Sequence, residues 1–437
     1  MPGVRHVRTY DGWMRRAVLG LITIVALCLV GLAPAQGATK PGTVGLVTFT
    51  AASPTSFTII WPKASNATSY QVFVSTSYTG VLTAPVFGTS KTTTFTPKGL
   101  KPGTDYFIQV RAMNGTNAGS RSSRVGHQTI RAQGTATGPY YTVMSYNLCT
   151  RACMIPYQPG MDGYYTYWKW SQRMPGAIER ITNFKPDVVM LQESECSVPS
   201  APDLHWQHPE WRPVMQPPAG YAKVKCRSAK QLFYNDARFD VAPGESCMDN
   251  DSTPPPVNQC TSGSIYLGEH LDGKKFAVWA ELVDKTKADK HVIFVSVHLV
   301  TGTSTAAVNY RAAEIRTLLA KIREVNPEGV PVVYGGDFNS HKNRSNDSVA
   351  TEFHKGGLYD AFDLAMKIGY QHFNTYNGFK VTPTIGVKWG DHVDHVWVDP
   401  TKSRVISWLN GVKLVSGKLP HPIPSDHSPL VVSVQVN

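Results

Sequence analysis

The stretch YGGDFNSHK, residues 334–342, follows an apolar run that contains Val330, Val332 and Val333. A run of that length bounded by glycines reads as a short buried strand. Gly335 and Gly336 close it, and a tight Gly-Gly turn is expected there. Asp337 and Asn339 then stand two apart around Phe338, so extended backbone sets both polar side chains on one face. Taken alone, this is an Asp and an Asn in a turn. It acquires chemical meaning only if other strands carry polar residues at their ends in the same way.

Five others do. Asn147 follows VMSY, Glu193 follows VVMLQ and His298 follows IFVSV. Asp394 and His395 interrupt HVDHVWV, and Asp426 and His427 open DHSPLVVSV. A carboxylate on a buried strand is costly unless it is paired or holds a metal. If these strands share a sheet, their ends converge on one cleft. The residue types suit phosphate chemistry. Asn147 and Glu193 offer oxygens to a hard divalent ion such as magnesium. His298 and His427 can donate to phosphate oxygens or carry protons near neutral pH. An Asp beside such a histidine fixes its tautomer. Asp337 can accept a proton from water, with Asn339 orienting the nucleophile or the phosphate. The chain has no Gly-x-Ser-x-Gly elbow, no Walker loop and no His-Glu-x-x-His helix.

The segments around these residues read as mixed α/β. YTVMSYNL (141–148), PDVVMLQE (186–193), KKFAVWAELV (274–283) and KHVIFVSVHLV (290–300) are strand-like. Residues 170–184 place Met174, Ala177, Ile178 and Ile181 at helical spacing, and residues 304–325 do the same with Ala312, Ile315, Leu318, Leu319 and Ile322. Upstream the texture changes. Residues 40–131 are rich in Thr and Ser and hold no cysteine. Phe57, Ile59 and Trp61 alternate, as do Tyr70, Val72 and Val74, and Tyr106, Ile108, Val110 and Ala112. Short alternating strands between turn signals indicate an antiparallel sandwich. RAQGTATGP (131–139) reads as a small-residue linker, which gives domains at 40–131 and 140–437 around a linker at 132–139.

The first 38 residues read as an export signal. Arg15 and Arg16 precede an apolar run from Ala17 to Ala33, and small residues around Ala35 and Ala38 follow. An uncleaved anchor is the rival reading of this run, which is short for a membrane span. The formal net charge is +12, and without residues 1–38 the balance is 39 basic against 30 acidic residues. A positive surface attracts polyanions or anionic membranes. Of seven cysteines, Cys28 lies in the apolar run. The other six, an even number in an exported chain, favour disulfides. The short separations give Cys149–Cys153 and Cys247–Cys260, leaving Cys196–Cys226.

Two family resemblances rest on these residues. LKPGTDYFIQVRAMN (100–114) resembles the tyrosine-corner segment of a fibronectin type III domain, with Leu100, Pro102, Thr104, Tyr106 and the early Trp61 in the expected places. Such domains act as spacers or adhesion modules, so the resemblance implies contact with an extracellular polymer or cell surface. From about Tyr140 onward, MSYNL, LQE, SVHL, GGDFNS, HVDHVWV and SDHSPL resemble, in order, the motifs of the endonuclease/exonuclease/phosphatase superfamily, whose members resemble deoxyribonuclease I. The resemblance implies a four-layer α/β sandwich behind an N-terminal all-β fibronectin type III sandwich. It implies metal contact by Asn147, Glu193 and Asp426, and catalysis by His298, Asp337, Asn339, Asp394 and His427. Either His427 backed by Asp394, or Asp337, serves as the base, with one or two metal ions. Magnesium is the expected cofactor, with manganese or calcium as alternatives.

The expected activity is that of a secreted phosphodiesterase acting on nucleic acid, DNA first, because phosphate contacts dominate such affinity. A sphingomyelinase-like or small-molecule phosphodiesterase is the alternative, and a catalytically dead binding protein the third. No stable membrane insertion is expected once the signal is removed. Among neighbouring residues, His395 reads as a wall residue, His392 and Asp391 as a solvated turn, and Trp170 and Arg173 as helix packing and a surface contact. YYTYWKW (164–170) reads as core and rim packing. Asn235 stands where the superfamily places a basic residue after Tyr234.

Overall fold

A computed structural model describes residues 39–154, 168–197, 214–224, 226–248, 256, 259–270, 273–287 and 290–437. The export segment 1–38 and residues 164–167 of YYTYWKW lie outside them. Two sheets face each other in the C-terminal part. In the first, Tyr221–Lys223, Gln231–Asn235, Val188–Gln192, Tyr140–Asn147, Leu430–Val436, Ser403–Asn410 and Lys367–Gly369 lie side by side. In the second, the order is Glu245–Met248, Cys260–His270, Gly273–Asp284, His291–His298, Val332–Asp337, Asp394–Val398 and Tyr359–Asp360.

Burial on both faces explains why several strands read as continuous apolar runs. All of Val188–Gln192 is buried. Val188 and Met190 pack between the sheets with Val143, Phe294, Val333 and Val396. Val189 and Leu191 point the other way, onto Ala177 and Ile181 of the helix Trp170–Phe184. On the far side the helices Thr305–Val325 and Ser348–Lys355 cover the second sheet through Ile315, Leu318, Leu319 and Phe353. Ser304 caps the longer helix by accepting from Ala307 N at 3.2 Å. The layers run helix, sheet, sheet, helix, which is the expected four-layer sandwich.

The two glycines do not form the expected turn. Both lie inside the strand Val332–Asp337. A Cβ on Gly335 would come within 2.3 Å of Met190 Cε, and one on Gly336 within 2.1 Å of the Val297 carbonyl. At Gly336 the neighbouring strand's backbone leaves no room for a side chain, and at Gly335 the space is filled by the Met190 thioether from the facing sheet.

The N-terminal sandwich is built as read. Trp61 packs edge-on to Tyr70 at 5.3 Å, and Lys101 N donates to the Tyr106 hydroxyl at 2.9 Å, closing the tyrosine corner. The strands Thr48–Ala52, Phe57–Ile60 and Thr94–Phe95 form one of its faces, and they also extend the first sheet of the C-terminal part. Ala51 pairs with Lys367, and Ala52 N donates to Met366 O at 3.0 Å. Trp389 lies against Gly126 and meets Phe107 at 5.2 Å, and Gly126 N donates to Lys388 O at 2.7 Å. The segment read as a linker is pinned. Gln133 bridges Leu364 O (2.8 Å) and Val405 N (2.7 Å), and Gly134 N donates to Pro400 O at 2.7 Å. Residues Thr39–Asn437 form one compact unit. The three disulfides are Cys149–Cys153, Cys196–Cys226 and Cys247–Cys260.

His127 sits in this junction, its ring 5.0 Å from both Phe49 and Phe362. Neither ring nitrogen has a hydrogen-bond partner among the described residues. Burial, reinforced by Lys342, pushes its pKa down from 6.5 to about 3. The folded chain therefore holds His127 neutral, whereas the unfolded chain protonates it below about 6.5. Its stabilising contribution is complete above that pH and is lost as pH falls toward about 3. Denaturation midpoints of the parent and His127→Phe at about pH 7 and about pH 5 test this. The parent should lose more stability than the variant between the two, and equal losses would refute the assignment.

Candidate active site

Register places the polar strand ends at one edge of the sandwich. Gln192 lies opposite Asn147 on parallel strands of the first sheet, which puts Asn147 and Glu193 together. His298 lies opposite Asp337 on parallel strands of the second, and Asp337 opposite Asp394 on the antiparallel neighbour. The segment bearing Asp426 and His427 leads into Leu430–Val436, whose first residue pairs with Ser145 beside Asn147. The sheets are tied beneath the site: Gln192 Nε2 donates to Ser296 Oγ at 3.0 Å, which donates to Leu191 O at 2.8 Å.

All eight expected residues gather here. Asn147 is fully buried and spans the gap, its Nδ2 donating to Glu193 Oε1 at 2.9 Å and to Asp337 Oδ2 at 3.0 Å. His298 Nε2 and His427 Nε2 approach the same Asp337 oxygen at 3.6 and 3.7 Å. His427 Nδ1 meets Asp394 Oδ2 at 2.8 Å. The backbone N–H of Asn339 donates to Asp337 Oδ1 at 2.9 Å, and its side chain donates to Leu299 O at 3.0 Å. Asn339 and Glu193 adopt φ of 49° and 46°, a left-handed conformation that is strained for a glutamate and concentrates at functional sites.

The charges shape one another. Burial, then the nearby Asp426, pushes Glu193 up to about 7. Burial pushes Asp337 up to about 6 and raises Asp426 as well. Burial alone would depress His427, but Asp394, Asp337 and Asp426 together hold it well above its usual value. Burial, with Lys230 and Lys275 adding to it, holds His298 well below its own. One histidine is thus cationic and the other neutral.

The cleft has a volume of about 430 Å³. Glu193, His298, Asp337, Asn339, Asp426 and His427 line it, with Asn147 and Asp394 behind them, and so do Lys275, Thr301, Arg344, Tyr376 and Val393. None of the last five carried a local signal. Tyr376 stacks edge-on to His427 at 5.1 Å. Arg344 donates to Asn339 O at 2.6 Å.

Three neighbours stand elsewhere than expected. Arg173 is not a surface contact but fully buried. Its guanidinium donates to Pro424 O (2.8 Å), Cys149 O (2.8 Å) and Leu148 O (3.2 Å), clamping the segments that carry Asn147 and Asp426. His392 is not in a solvated turn: it is buried, bonded to Gln371 O at 2.7 Å, and packs on Phe362 and Trp408. His395 faces away from the cleft and joins Asp360 (2.6 Å) to Ser340 O (2.9 Å).

The fibronectin type III domain family matches residues 41–128. The endonuclease/exonuclease/phosphatase family matches residues 144–427, well over half of the chain. The chain belongs to the endonuclease/exonuclease/phosphatase family. This is a family of phosphoesterases and nucleases that depend in general on divalent metal. No curated protein matches the chain. Among solved structures it is similar to an endonuclease/exonuclease/phosphatase family protein from Bacteroides thetaiotaomicron, with 19% identity over 69% of this chain and 99% of that one and a TM-score of 0.46. It is also similar to a mannosyl-6-phosphatase from the same species (20% identity, 67% and 99% coverage, TM-score 0.45) and to the human Nocturnin catalytic domain (17%, 69% and 97%, TM-score 0.42).

The family's donor set fits a hard cation here. Ligand atoms of Glu193, His298 and Asp337 lie within 4.8 Å of one another, and burial raises both carboxyl pKa values, a penalty on the ionised forms that a cation among them would offset. The Cys149–Cys153 pair next to Asp426 is a disulfide and donates nothing. The clamp itself is testable. Arg173→Met leaves buried carbonyls without a donor, at about 1–3 kcal/mol each. Urea denaturation should show a loss of about 3 kcal/mol or more; a loss below about 1 kcal/mol would mean that the clamp carries no strain-bearing role.

Proposed function

We propose that this chain hydrolyses phosphoric ester bonds by direct attack of water, with the eight residues of the cleft acting as one unit. The observation that carries the proposal is the convergence on Asp337. Asn147, His298 and His427, from both sheets, all approach one oxygen of a single buried carboxylate. In this reading Asp337 accepts the proton of the attacking water. Asn339 holds Asp337 Oδ1 through its backbone and fixes the loop through Leu299. His298, neutral, donates a hydrogen bond to a phosphate oxygen. His427, oriented by Asp394, places positive charge and a proton next to the scissile bond. Glu193 and Asp426, with Asn147 alongside, would hold a divalent ion, magnesium first, that neutralises charge on the phosphate oxygens.

The chain is proposed to work outside the cell. The signal-like N-terminus and three disulfides support this. Without residues 1–38, 39 basic against 30 acidic residues support a polyanionic substrate, DNA ahead of RNA. Net charge acts at long range and draws in any phosphate-bearing molecule, so it ranks substrates only coarsely.

The test is hydrolysis of plasmid DNA, RNA, sphingomyelin and bis(p-nitrophenyl) phosphate by the secreted protein, with and without chelator. Chelation should abolish turnover. Asp337→Ala and His427→Ala should each lower it by about 100-fold or more while the melting transition is retained. Full activity in either variant would sink the site assignment.

A further inference from the structure

The positive charge of the chain is not spread evenly. Residues 40–131 hold nine Lys and Arg against a single acid, Asp105. Residues 132–437 hold 30 basic and 29 acidic residues, a near balance. The domain that carries no catalytic residue therefore carries almost all of the excess charge. Asp105 does not offset it locally, because Lys342 of the catalytic domain already engages that carboxylate at 2.9 Å.

Register collects part of this charge on one face. In the strands Ser69–Ser75 and Asp105–Asn114, Tyr70, Val72, Ile108 and Val110 point into the core. Phe73, Phe107 and Arg111 alternate with them and take the outer face. Arg111 stands opposite Arg121 of the strand Asn117–Arg121, and like charges placed so are destabilising. Burial, then Arg111, lowers the Arg121 pKa. Arg124 follows three residues on, and Lys388 arrives from the catalytic domain. Aromatic rings seat all four cations. Arg121 lies 3.5 Å and Arg111 5.3 Å from the Phe73 ring centre. Arg124 lies 3.8 Å and Lys388 4.8 Å from that of Tyr78, which meets Phe107 edge-on at 5.3 Å.

Backbone carbonyls fix the arginines further. Arg121 donates to Val81 O at 2.7 Å and Ala84 O at 3.1 Å, and Arg124 donates to Tyr78 O at 2.9 Å. Arg111 gives Nε and Nη2 to Gln71 Oε1. No carboxylate lies within ion-pair distance of any of the four cations among the described residues. Arg111 Nη1, Arg121 Nε, and Nε and Nη2 of Arg124 make no hydrogen bond among them either. The face thus gathers like charges, fixes their positions and leaves donors unused.

We propose that this face of the fibronectin-type sandwich is a docking surface for single-stranded nucleic acid, with Arg111, Arg121, Arg124 and Lys388 turned to its phosphates. A guanidinium pinned flat on a ring cannot extend into a lipid headgroup layer as a free basic side chain does. Its outer plane and remaining N–H groups suit a base and a phosphate lying along the sheet. Phe87, exposed beside Val86 opposite Phe73, adds a stacking surface. Lys388 stands five residues before Val393 in the cleft wall, a reach of at most about 18 Å. Docked polymer is thereby concentrated near the cleft without one segment having to occupy both places. The inference does not depend on which ester the cleft hydrolyses.

The test is fluorescence anisotropy of a labelled single-stranded oligonucleotide of about 16 nucleotides, titrated with the full mature chain. Chelator is present so that nothing is hydrolysed, and salt runs from about 50 to 200 mM. The parent should bind. In the triple variant Arg111→Gln, Arg121→Gln, Arg124→Gln, the slope of log K against log salt should fall by about 2, with binding weakened at least about tenfold at the lower salt. Lys388→Gln gives up no hydrogen bond among the described residues, so it decides the matter if the triple variant loses its melting transition; its slope should fall by about 0.7. Lys63→Gln, Lys98→Gln, Lys101→Gln together remove the same charge from elsewhere on the domain and should keep the parent slope. A parent that does not bind, or equal losses in the face and control variants, overturns the surface. A parent held by phosphatidylserine vesicles and not displaced by the oligonucleotide overturns the choice of nucleic acid. Turnover of bis(p-nitrophenyl) phosphate should be unchanged in Lys388→Gln. If the parent turns over no ester at all, the reading of the cleft fails, and the anisotropy still decides the surface.

Discussion

The spacing of the strands that meet at Gly336 sets where His298 and Asp337 stand. A Cβ there would strike the Val297 carbonyl on the adjacent strand, and that contact is with backbone. At Gly335 the missing side chain leaves the room that the Met190 thioether fills between the sheets. Across this gap Asn147, from the first sheet, donates to Asp337 on the second. Any larger residue at Gly336 would force apart the strands that carry His298 and Asp337. The interior is packed close to crystal density and transmits such a shift rather than absorbing it. A backbone requirement thus becomes a requirement of the chemistry.

The site concentrates charge that the interior disfavours. Glu193, Asp337, Asp394 and Asp426 stand near one another with a single cationic histidine among them. Isolated, such groups would neutralise or expel one another. They persist because His427 is gripped by Asp394, because Asn147 is shared between two carboxylates, and because Arg173 fixes the loops from behind. The left-handed backbone at Glu193 is part of the same arrangement.

The gathering of the eight candidate residues was legible in the sequence because each stands in or beside an apolar strand with a polar group that is costly to bury. A pattern that violates local rules six times over is hard to mistake. The same logic fails for Arg173, Arg311 and Glu314, all fully buried. On a helix, a charged residue at an inward position looks like an edge residue of the exposed face, and only tertiary contacts reveal the partners: loop carbonyls for Arg173 and Arg311, and the Val300 N–H and His270 for Glu314. The glycines of YGGDFN misled in a different way. Glycine most often signals backbone freedom, whereas here it marks close approach within a strand. Lys275, Arg344 and Tyr376 reach the cleft from segments far apart in the chain, so no spacing announces them.

The junction of the two domains was the least legible feature, and it changes how the N-terminal domain is understood. Alternation and the tyrosine corner identify a sandwich, but nothing local indicates that its edge is used. An exposed sheet edge is a liability that proteins cover or pair. Here Ala51 and Ala52 pair with the short strand Lys367–Gly369, and that strand in turn pairs with Ser403–Asn410. The edge that each sandwich would otherwise present to solvent is closed by the other. The segment 131–139 is composed like a flexible linker yet is bonded along the catalytic domain. Asp105 then reaches Lys342, five residues beyond Asp337. The N-terminal domain is thus tied to the segment that follows Asp337 by an ion pair as well as by a shared sheet, which is more than a spacer needs.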